Sequence, residues 1–401
     1  MEYLFLIGDF ILSKLLGVII IPRILLISRK KNLYDSINAR KVHEGKVPRL
    51  GGLCFFPVIL ITICLSLGLK HIFGFDIQPV IHDSITSEYL FLACGASMLY
   101  LVGEMDDLIG VRYKVKFLIQ IITASLVVIS GVYISDFHGL LGIHSVPTWF
   151  GIGFSVFLIM FITNAINLID GVDGLASGLC IIALAVLCGI FTYEKAFVYA
   201  MLNLSTIGAI IPFWFYNVFG NQRAGQKIFM GDTGSLTLGV LLGFLAIKSF
   251  TLDNISDVSA TRYMIVAFST LLVPMFDVIR VACFRMSRKH NPFLPDKNHI
   301  HHKLIRTGMR LRFVMLTIIL IDISFIIINC LLAGLMNVTF IIFIDIFIWI
   351  LLQIIINKFA KVHEVHEGLA HDDRGNVFQE SDPSLFGTEI PTRQPDEDDD
   401  D

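Results

Sequence analysis

Acidic and basic side chains stand close together in several short segments of this chain. The segment from Gly103 to Asp107 reads Gly-Glu-Met-Asp-Asp and closes a long apolar run. Adjacent carboxylates beside apolar residues are costly to desolvate, so we expect the pair Asp106 and Asp107 to serve a cation or a proton. Cations that can hold phosphate follow at Arg112, Lys114 and Lys116. Together these residues indicate phosphoryl transfer, and a solvated helix end is the alternative.

A second polar segment lies between two apolar runs, from Asn164 to Gly174. It reads Asn-Ala-Ile-Asn-Leu-Ile-Asp-Gly-Val-Asp-Gly, with amides at Asn164 and Asn167 and acids at Asp170 and Asp173. Its glycines, including Gly171, permit close backbone approach, and its acids and amides can bind a nucleoside or a hard cation. The ligand spacing of an EF-hand loop is missing. A plain turn would need fewer such residues.

A third segment begins another apolar run with Phe229-Met-Gly-Asp232. Asp232 at a helix start is typical of an N-cap. It fits a metal ligand equally well, with Phe229 offering a ring face on which a base can stack.

The histidines concentrate in one segment, from Arg288 to His302. Pro292 and Pro295 exclude a continuous helix there. His299, His301 and His302 would suit zinc, but no Cys or Glu partner has the required spacing. The neighbouring cations, Arg288 among them, favour anion binding and proton handling.

The fifth segment, residues 43–52, is basic and rich in glycine. His43 and Lys46 precede Pro48 and the pair Gly51-Gly52. Membrane-proximal positive charge would explain the cations alone, whereas the proline and glycines favour phosphate or substrate binding.

The elements that must position these segments are membrane helices. The chain is 55% hydrophobic and only 16% charged, with a mean hydropathy of +0.74, and its runs are apolar on every side. The sequence therefore predicts an all-α polytopic membrane protein with eleven transmembrane helices, or ten if the last two runs are one. The predicted spans are 3–27, 52–69, 88–104, 116–134, 148–163, 175–191, 196–215, 233–249, 263–281, 313–333 and 338–357.

Charge sets the predicted orientation and separates two regions. Twenty-one Lys and Arg fall in the loops that carry the five segments, against three in the opposite loops, which places those segments in the cytoplasm. Residues 358–401 hold 4 basic and 13 acidic residues, a net −9, so the remaining chain is +6. We predict a membrane domain over 1–357 and an acidic, disordered cytoplasmic tail over 358–401. Localisation would be the inner (plasma) membrane.

The five segments in this order resemble the polyprenyl-phosphate N-acetylhexosamine-1-phosphate transferases over residues 1–357. The motifs that carry the resemblance are Gly-x-x-Asp106-Asp107, Asn-x-x-Asn167-x-x-Asp170-Gly-x-Asp173-Gly, Phe229-x-Gly-Asp232 and His299-Ile-His-His. The last motif, preceded by Pro-Asp296, is similar to the branch that includes the WecA and TagO enzymes. That branch uses UDP-N-acetylhexosamines.

The resemblance implies a membrane enzyme that moves GlcNAc-1-phosphate, or another N-acetylhexosamine-1-phosphate, from a UDP-sugar to undecaprenyl or another polyprenyl phosphate. UMP would be released. Mg²⁺, with Mn²⁺ as an alternative, would be held by Asp232 and Asn167. The implied catalytic residues are Asp106, Asp107, Asp170 and His301. The implied substrate-binding residues are His43, Lys46, Arg112, Lys114, Lys116, Asn164, Gly171, Asp173, Phe229, Arg288, His299 and His302.

Two other functions stay open at this point. The related branch that transfers phospho-MurNAc-pentapeptide has an uninterrupted run of three histidines followed by an acid, whereas here Ile300 interrupts the run and Lys303 follows it. An ion-coupled transporter would keep its polar groups near the midplane, often in repeated halves, and the sequence has neither feature. The expected partners are the UDP-sugar, the lipid phosphate and the membrane, with no nucleic acid; a homodimer is compatible with the sequence.

Overall fold

A computed structural model describes residues 2–34, 47–74, 83–253, 255–289, 298–367, 369–371 and 377–379. Helices dominate these ranges. They are α1 (Glu2–Lys31), α2 (Phe55–Ile72), α3 (Asp83–Ile109), α4 (Tyr113–Ile129), α5 (Thr148–Ile169), α6 (Leu175–Tyr193), α7 (Phe197–Phe219), α8 (Gly231–Phe250), α9 (Asp257–Ser269), α10 (Leu272–Ser287), α11 (Ile300–Arg306), α12 (Leu311–Leu332) and α13 (Val338–Glu367). A short 3-10 helix, Gly51–Cys54, leads into α2.

Within the described ranges, eight helices are long and apolar enough to cross a membrane, and the bent pair α9–α10 makes a ninth. The chain is therefore a polytopic membrane protein. The helices α3 and α4 overlap the predicted spans 88–104 and 116–134, but α3 carries acids at both ends and α4 has only 17 residues. The predicted separation of the last two spans appears as α12 and α13.

Helix α8 is the centre of the bundle. All its residues except Asp232 are buried, and α3, α5, α6 and α9 pack around it. Glycines permit the close crossings: a Cβ added to Gly103 of α3 would lie 2.5 Å from the Thr233 Cα, and one on Gly239 would lie 2.6 Å from the Thr163 Cα. The helices at the periphery, α1, α12 and α13, expose large apolar side chains, as lipid-facing helices do.

One predicted span is broken. The stretch 263–281, which we expected to be a single helix, divides into α9 and α10 with a bend of 63°. At the break the Ser269 and Thr270 hydroxyls donate to backbone carbonyls one turn earlier, at Val266 and Ala267. Pro274 then lies in the first turn of α10, where its missing N–H costs nothing.

Two short hairpins depart from a purely helical fold. Strands β1 (Asp136–Leu140) and β2 (Ile143–Ser145) pair between α4 and α5, and the Thr339 hydroxyl at the start of α13 accepts a hydrogen bond from the Leu141 N–H (2.7 Å). Strands β3 (Leu369–His371) and β4 (Val377–Gln379) pair after α13. Helix α13 continues to Glu367, beyond the predicted domain boundary at residue 357. Disorder of the rest of the tail stays a prediction.

The elements that carry the polar segments share one side of the bundle, which we call the motif face. There α1, α3, α5, α7 and α10 end, and α2, α4, α6, α8 and α12 begin. The other side, with the β1–β2 hairpin, is the opposite face.

The crossing of α3 and α8 predicts a glycine-specific stability effect. Replacing Gly103 with Ala places a methyl group against the α8 backbone, so we expect a destabilisation of about 1–3 kcal/mol. Gly68→Ala in α2 is the matched control, because a Cβ there meets nothing within 4 Å. Thermal unfolding in detergent measures the difference, and equal melting temperatures for the two variants would contradict the close crossing.

Candidate active site

The motif-face end of α8 is capped by a side chain from α3. The Asp107 carboxylate accepts hydrogen bonds from the backbone N–H of Asp232 (2.8 Å), the N–H of Thr233 (2.9 Å) and the Thr233 hydroxyl (2.6 Å). A helix N-terminus leaves its first N–H groups without intrahelical partners and carries partial positive charge. Asp107 supplies both the acceptors and the negative charge, so it anchors Asp232 relative to α3.

A lysine from α4 lies between two other acids. The Lys116 ammonium is 2.9 Å from the Asp232 carboxylate and 3.2 Å from that of Asp106, and all three side chains are largely buried. Asp106 also accepts a hydrogen bond from the Val111 N–H (2.7 Å), which fixes the turn between α3 and α4. Two carboxylates and one ammonium therefore form a buried ion-pair cluster where α3, α4 and α8 meet.

Phe229 is positioned by strand-like pairing with the residues that precede α2. Its N–H donates to the Pro48 carbonyl (2.9 Å), and its carbonyl accepts from the Gly51 N–H (2.9 Å). The Gly52 N–H donates to the Met230 carbonyl (2.8 Å). A Cβ on Gly51 would lie 2.7 Å from the Phe229 oxygen, so this pairing requires glycine. Residues 47–52 thus form one wall of the site.

The loop between α5 and α6 is tied to α7 and α8. The Asn167 amide donates to the Ser235 hydroxyl (2.8 Å). The Asn217 side chain accepts from the Gly174 N–H (2.5 Å) and donates to the Ile228 carbonyl (2.8 Å). Through these contacts the loop is held beside the segment that leads into α8.

The Lys227 side chain contacts both Asp173 and Phe229. The Lys227 ammonium pairs with the Asp173 carboxylate and lies 5.9 Å from the centre of the Phe229 ring. An aromatic face with an adjacent acid and a lysine is suited to a planar polar ring such as a nucleobase.

Asp170 is the site acid whose protonation is most altered. Burial raises the pKa of its carboxyl from 3.8 to about 7, against the attraction of Arg49. The neighbouring carboxylates of Asp232, Asp173 and Asp107 raise this pKa further. The mutual repulsion places these four acids in one electrostatic environment.

The histidine segment reaches the same loop through His301. A Cβ on Gly171 would lie 2.2 Å from the His301 Nε2, so the imidazole ring rests directly on the glycine. His301 is only 2% exposed. Burial, reinforced by His302 and His299, lowers its pKa well below 6.5 and keeps it neutral. The His301 and His302 ring centres are 4.2 Å apart.

Four other predicted residues lie in the described ranges. The Asn164 amide donates to the Gln120 side chain (2.6 Å) and the Met160 carbonyl (2.8 Å), which joins α5 to α4. Arg112 and Lys114 are exposed at the start of α4. Arg288 lies exposed at the end of α10, 4.8 Å from the Phe284 ring centre. Their substrate-binding roles stay predictions. His43 and Lys46 fall outside the described residues.

Comparison with known proteins assigns this chain to a family. Residues 89–250 match the family described as Glycosyl transferase family 4. The chain is 34% identical over 328 residues to a probable undecaprenyl-phosphate N-acetylglucosaminyl 1-phosphate transferase of Bacillus subtilis (strain 168), covering 79% of this chain and 82% of that protein. The chain belongs to glycosyl transferase family 4.

Two further members of family 4 are named undecaprenyl-phosphate alpha-N-acetylglucosaminyl 1-phosphate transferase. The protein of Escherichia coli (strain K12) is 28% identical over 296 residues, covering 73% of this chain and 75% of the relative. That of Salmonella typhi is 29% identical over 316 residues, covering 77% and 80%. The predicted resemblance to the WecA-like transferases is confirmed.

The donor set of this family 4 chain fits one divalent cation. Among the described residues, no three His, Cys, Asp or Glu side chains converge as a self-sufficient metal cage. A hard cation such as Mg²⁺ commonly takes one or two carboxylates and completes its shell with substrate phosphates and water. Asp232, which pairs with the Lys116 ammonium, and Asn167, three residues before Asp170, are the residues that would supply oxygens for that arrangement.

Asp277 contacts the histidine segment but lies outside the five polar segments that the sequence indicates. This acid of α10 is fully buried and binds His299 and the Ile300 N–H. An acid inside the apolar run 271–281, with Arg280 one helical turn later, was the available signal. The roles of Asn217 and Gln120 could not be found in the same way, because a polar amide in a helix does not indicate its partner.

The altered protonation of Asp170 predicts a pH-dependent effect of Asp170→Asn on stability. The Asp170 carboxyl has a pKa of about 7 in the folded state and 3.8 in the unfolded state, so it lowers the free energy of unfolding as the pH rises. This loss of stability begins near pH 4 and is complete above pH 7. Asp170→Asn should therefore raise stability by about 1–2 kcal/mol at pH 5 and by about 4 kcal/mol at pH 8. Thermal unfolding without ligands at both pH values measures this.

The control is Asp257→Asn, an exposed acid at the start of α9 on the opposite face. It should shift the melting temperature equally at both pH values. If Asp170→Asn behaves like the control, Asp170 is already ionised at neutral pH and the electrostatic description of the site is wrong.

Proposed function

We propose that this family 4 protein transfers an N-acetylhexosamine-1-phosphate, GlcNAc-1-phosphate in particular, from a UDP-sugar to undecaprenyl phosphate and releases UMP. The observation that carries the proposal is the meeting of the polar segments around α8. Lys116 lies between Asp106 and Asp232, while His301 rests on Gly171. Distant parts of the chain thus supply acids, cations and imidazoles to one place, as transfer between two phosphate-bearing substrates requires.

The nucleoside of the donor would bind between residues 47–52 and the Asp173 loop. Phe229 offers a ring for stacking on uracil, and Asp173 can accept hydrogen bonds from the nucleoside once Lys227 turns toward phosphate. This placement would orient the diphosphate toward Asp232, which follows Phe229 in the chain, and toward Lys116, which pairs with Asp232.

The diphosphate would lie between the α8 end and the histidine segment. Mg²⁺ held by Asp232 and Asn167 would supply a Lewis acid that offsets charge on the phosphate oxygens. Lys116 adds a second positive charge at the same position. The neutral His301 and its neighbours His299 and His302 can donate hydrogen bonds to the sugar-linked phosphate.

The transfer step needs a phosphate oxygen of the lipid to attack the sugar-linked phosphorus. A new P–O bond forms there, the bond from that phosphorus to the bridging oxygen of the diphosphate breaks, and UMP leaves with that oxygen and its electron pair. Asp106 would position the lipid phosphate through Lys116. Asp107, which already accepts three hydrogen bonds, would hold α8 in register. Asp170, with a pKa of about 7, is suited to exchange a proton near neutral pH.

Membrane placement follows the positive-inside bias. We propose that α3 and α4 also cross the bilayer, because 17 residues already reach about 25 Å as a helix. With the pair α9–α10 as one span, the count is then eleven. The motif face, with the tail, would be cytoplasmic, where UDP-sugars are available, and the membrane would be the inner (plasma) membrane.

The choice of donor rests on the relatives and on one residue. The named relatives are N-acetylglucosaminyl 1-phosphate transferases, and Ile300 interrupts the histidine run. Both favour a UDP-N-acetylhexosamine over the UDP-MurNAc-pentapeptide donor.

Asp232→Asn is expected to abolish Mg²⁺-dependent UMP release from UDP-GlcNAc and undecaprenyl phosphate. The loss should exceed about 100-fold, because the variant removes a charge that acts directly on the diphosphate. Lys116→Met should lower turnover by a similar factor. Released UMP and lipid-linked product are measured with purified protein in detergent, with and without a chelator.

Asp257→Asn at the opposite face serves as the matched acid-to-amide control and should keep normal turnover. Near-normal turnover of both Asp232→Asn and Lys116→Met would place the reaction elsewhere. No turnover by the wild type with any UDP-sugar would overturn the proposed activity itself.

A donor panel tests specificity. We expect UDP-GlcNAc to give a kcat/KM at least about tenfold above UDP-GalNAc, UDP-glucose and UDP-MurNAc-pentapeptide, the discrimination that one differing hydrogen bond provides. A preference for the pentapeptide donor would move the chain to the other branch of the family.

A further inference from the structure

Asp277 of α10 organises the start of the histidine segment. Its carboxylate is fully buried. One oxygen accepts from the Ile300 N–H (2.9 Å) and from the Arg280 guanidinium (2.8 Å). The other oxygen lies 2.8 Å from the His299 Nδ1. Two of its three partners, His299 and Ile300, therefore belong to the histidine segment, although they lie more than twenty positions further along the chain.

These contacts determine which His299 nitrogen carries a proton. A carboxylate only accepts hydrogen bonds, so the Nδ1 beside it must be protonated, and the Nε2 is then the nitrogen left to face other groups. The same carboxylate accepts the Ile300 N–H, the first N–H of α11. Asp277 thus sets both the ring orientation of His299 and the starting point of α11.

The influence of Asp277 extends to His301 through ring packing. The His299 and His301 rings are parallel within 2°, with centres 5.7 Å apart. His301 in turn lies against Gly171 in the Asp170 loop. A displacement of His299 or of the first turn of α11 would move His301 off that glycine.

Arg280 adds a positive charge beside the Asp277 carboxylate. Its guanidinium bonds to Asp277 and to the Asn298 carbonyl, and the Arg306 guanidinium donates to the Asn298 side chain (3.0 Å). The buried carboxylate is thus charge-balanced, and both of its oxygens are used. A buried pair that served stability alone would not need to bind the backbone and a ring of another segment.

We propose that Asp277 is a positioning residue for the transfer reaction: acting through His299 and the first turn of α11, it holds His301 against Gly171 in the site. The inference rests on the proposed function for its catalytic consequence, but its structural part can be measured separately.

The kinetic test combines Asp277→Asn with His299→Gln. D277N removes one hydrogen-bond acceptor without changing the size of the side chain. We therefore expect kcat/KM for UDP-GlcNAc to fall by about 10–100-fold, the range typical for the loss of a residue that positions another. KM for undecaprenyl phosphate should stay unchanged, because that substrate is placed beside Asp106. The double variant should be no worse than the more impaired single variant, since both changes interrupt one chain of contacts.

The structural test is hydrogen exchange of residues 298–306 by mass spectrometry in detergent, without substrates. D277N should speed exchange in this peptide by about tenfold, because the one oxygen that the amide keeps cannot accept from both the Ile300 N–H and the His299 Nδ1–H. Asp322→Asn is the matched control: it removes another fully buried acid, which lies in α12 outside the histidine segment, and exchange in residues 298–306 should stay unchanged. If D277N cannot be purified, D277E replaces it, since the longer side chain keeps the charge but displaces His299.

The outcomes separate the two proposals. Unchanged exchange in the purified Asp277 variant, or independent multiplicative losses in the double variant, would overturn the positioning role. Faster exchange together with an inactive wild type would leave the positioning of α11 intact and refute the proposed activity.

Discussion

The buried N-terminus of α8 is the constraint on which the rest of the site depends. This helix runs through the middle of the bundle, so its first N–H groups are shielded from bulk water by the surrounding helices. The Asp107 carboxylate satisfies the N–H groups of Asp232 and Thr233 and faces the positive end of the helix dipole. Because Asp107 comes from the last turns of α3, the same contact sets the position of Asp232 relative to Asp106 and Lys116.

A second polar contact joins α3 and α8 near the opposite face. The Glu88 carboxylate of α3 accepts hydrogen bonds from Lys248 of α8 (2.7 Å) and Tyr199 of α7 (2.5 Å), all buried near the opposite face. Between the two polar contacts, Gly103 permits the close crossing at Thr233. A charged contact at each end and a close crossing near the motif face restrict sliding and rotation, so carboxylates of different helices keep a defined spacing.

Negative charge in the site is balanced in a way that suits anionic substrates. Lys116 and Lys227 each pair with a site acid, and Arg49 lies near Asp170. These cations can turn toward incoming phosphates, while the acids they leave can take a divalent cation. The neutral, buried His301 adds hydrogen-bonding capacity without adding charge. In the proposed reaction, these cations would leave their internal ion pairs to contact the substrate phosphates.

The sequence alone determined the membrane-helix class, the polar segments between the helices and the side of the bundle that these segments share, because hydropathy, Gly and Asp spacing and Lys and Arg bias are local signals. It could not determine that Asp107 caps α8 or that Asp277 anchors His299, since each contact joins residues more than twenty positions apart. The bend between α9 and α10 and the β1–β2 hairpin also required the structure. An apolar run has the same composition whether it forms one helix or two, and only the packing of its neighbours decides between them.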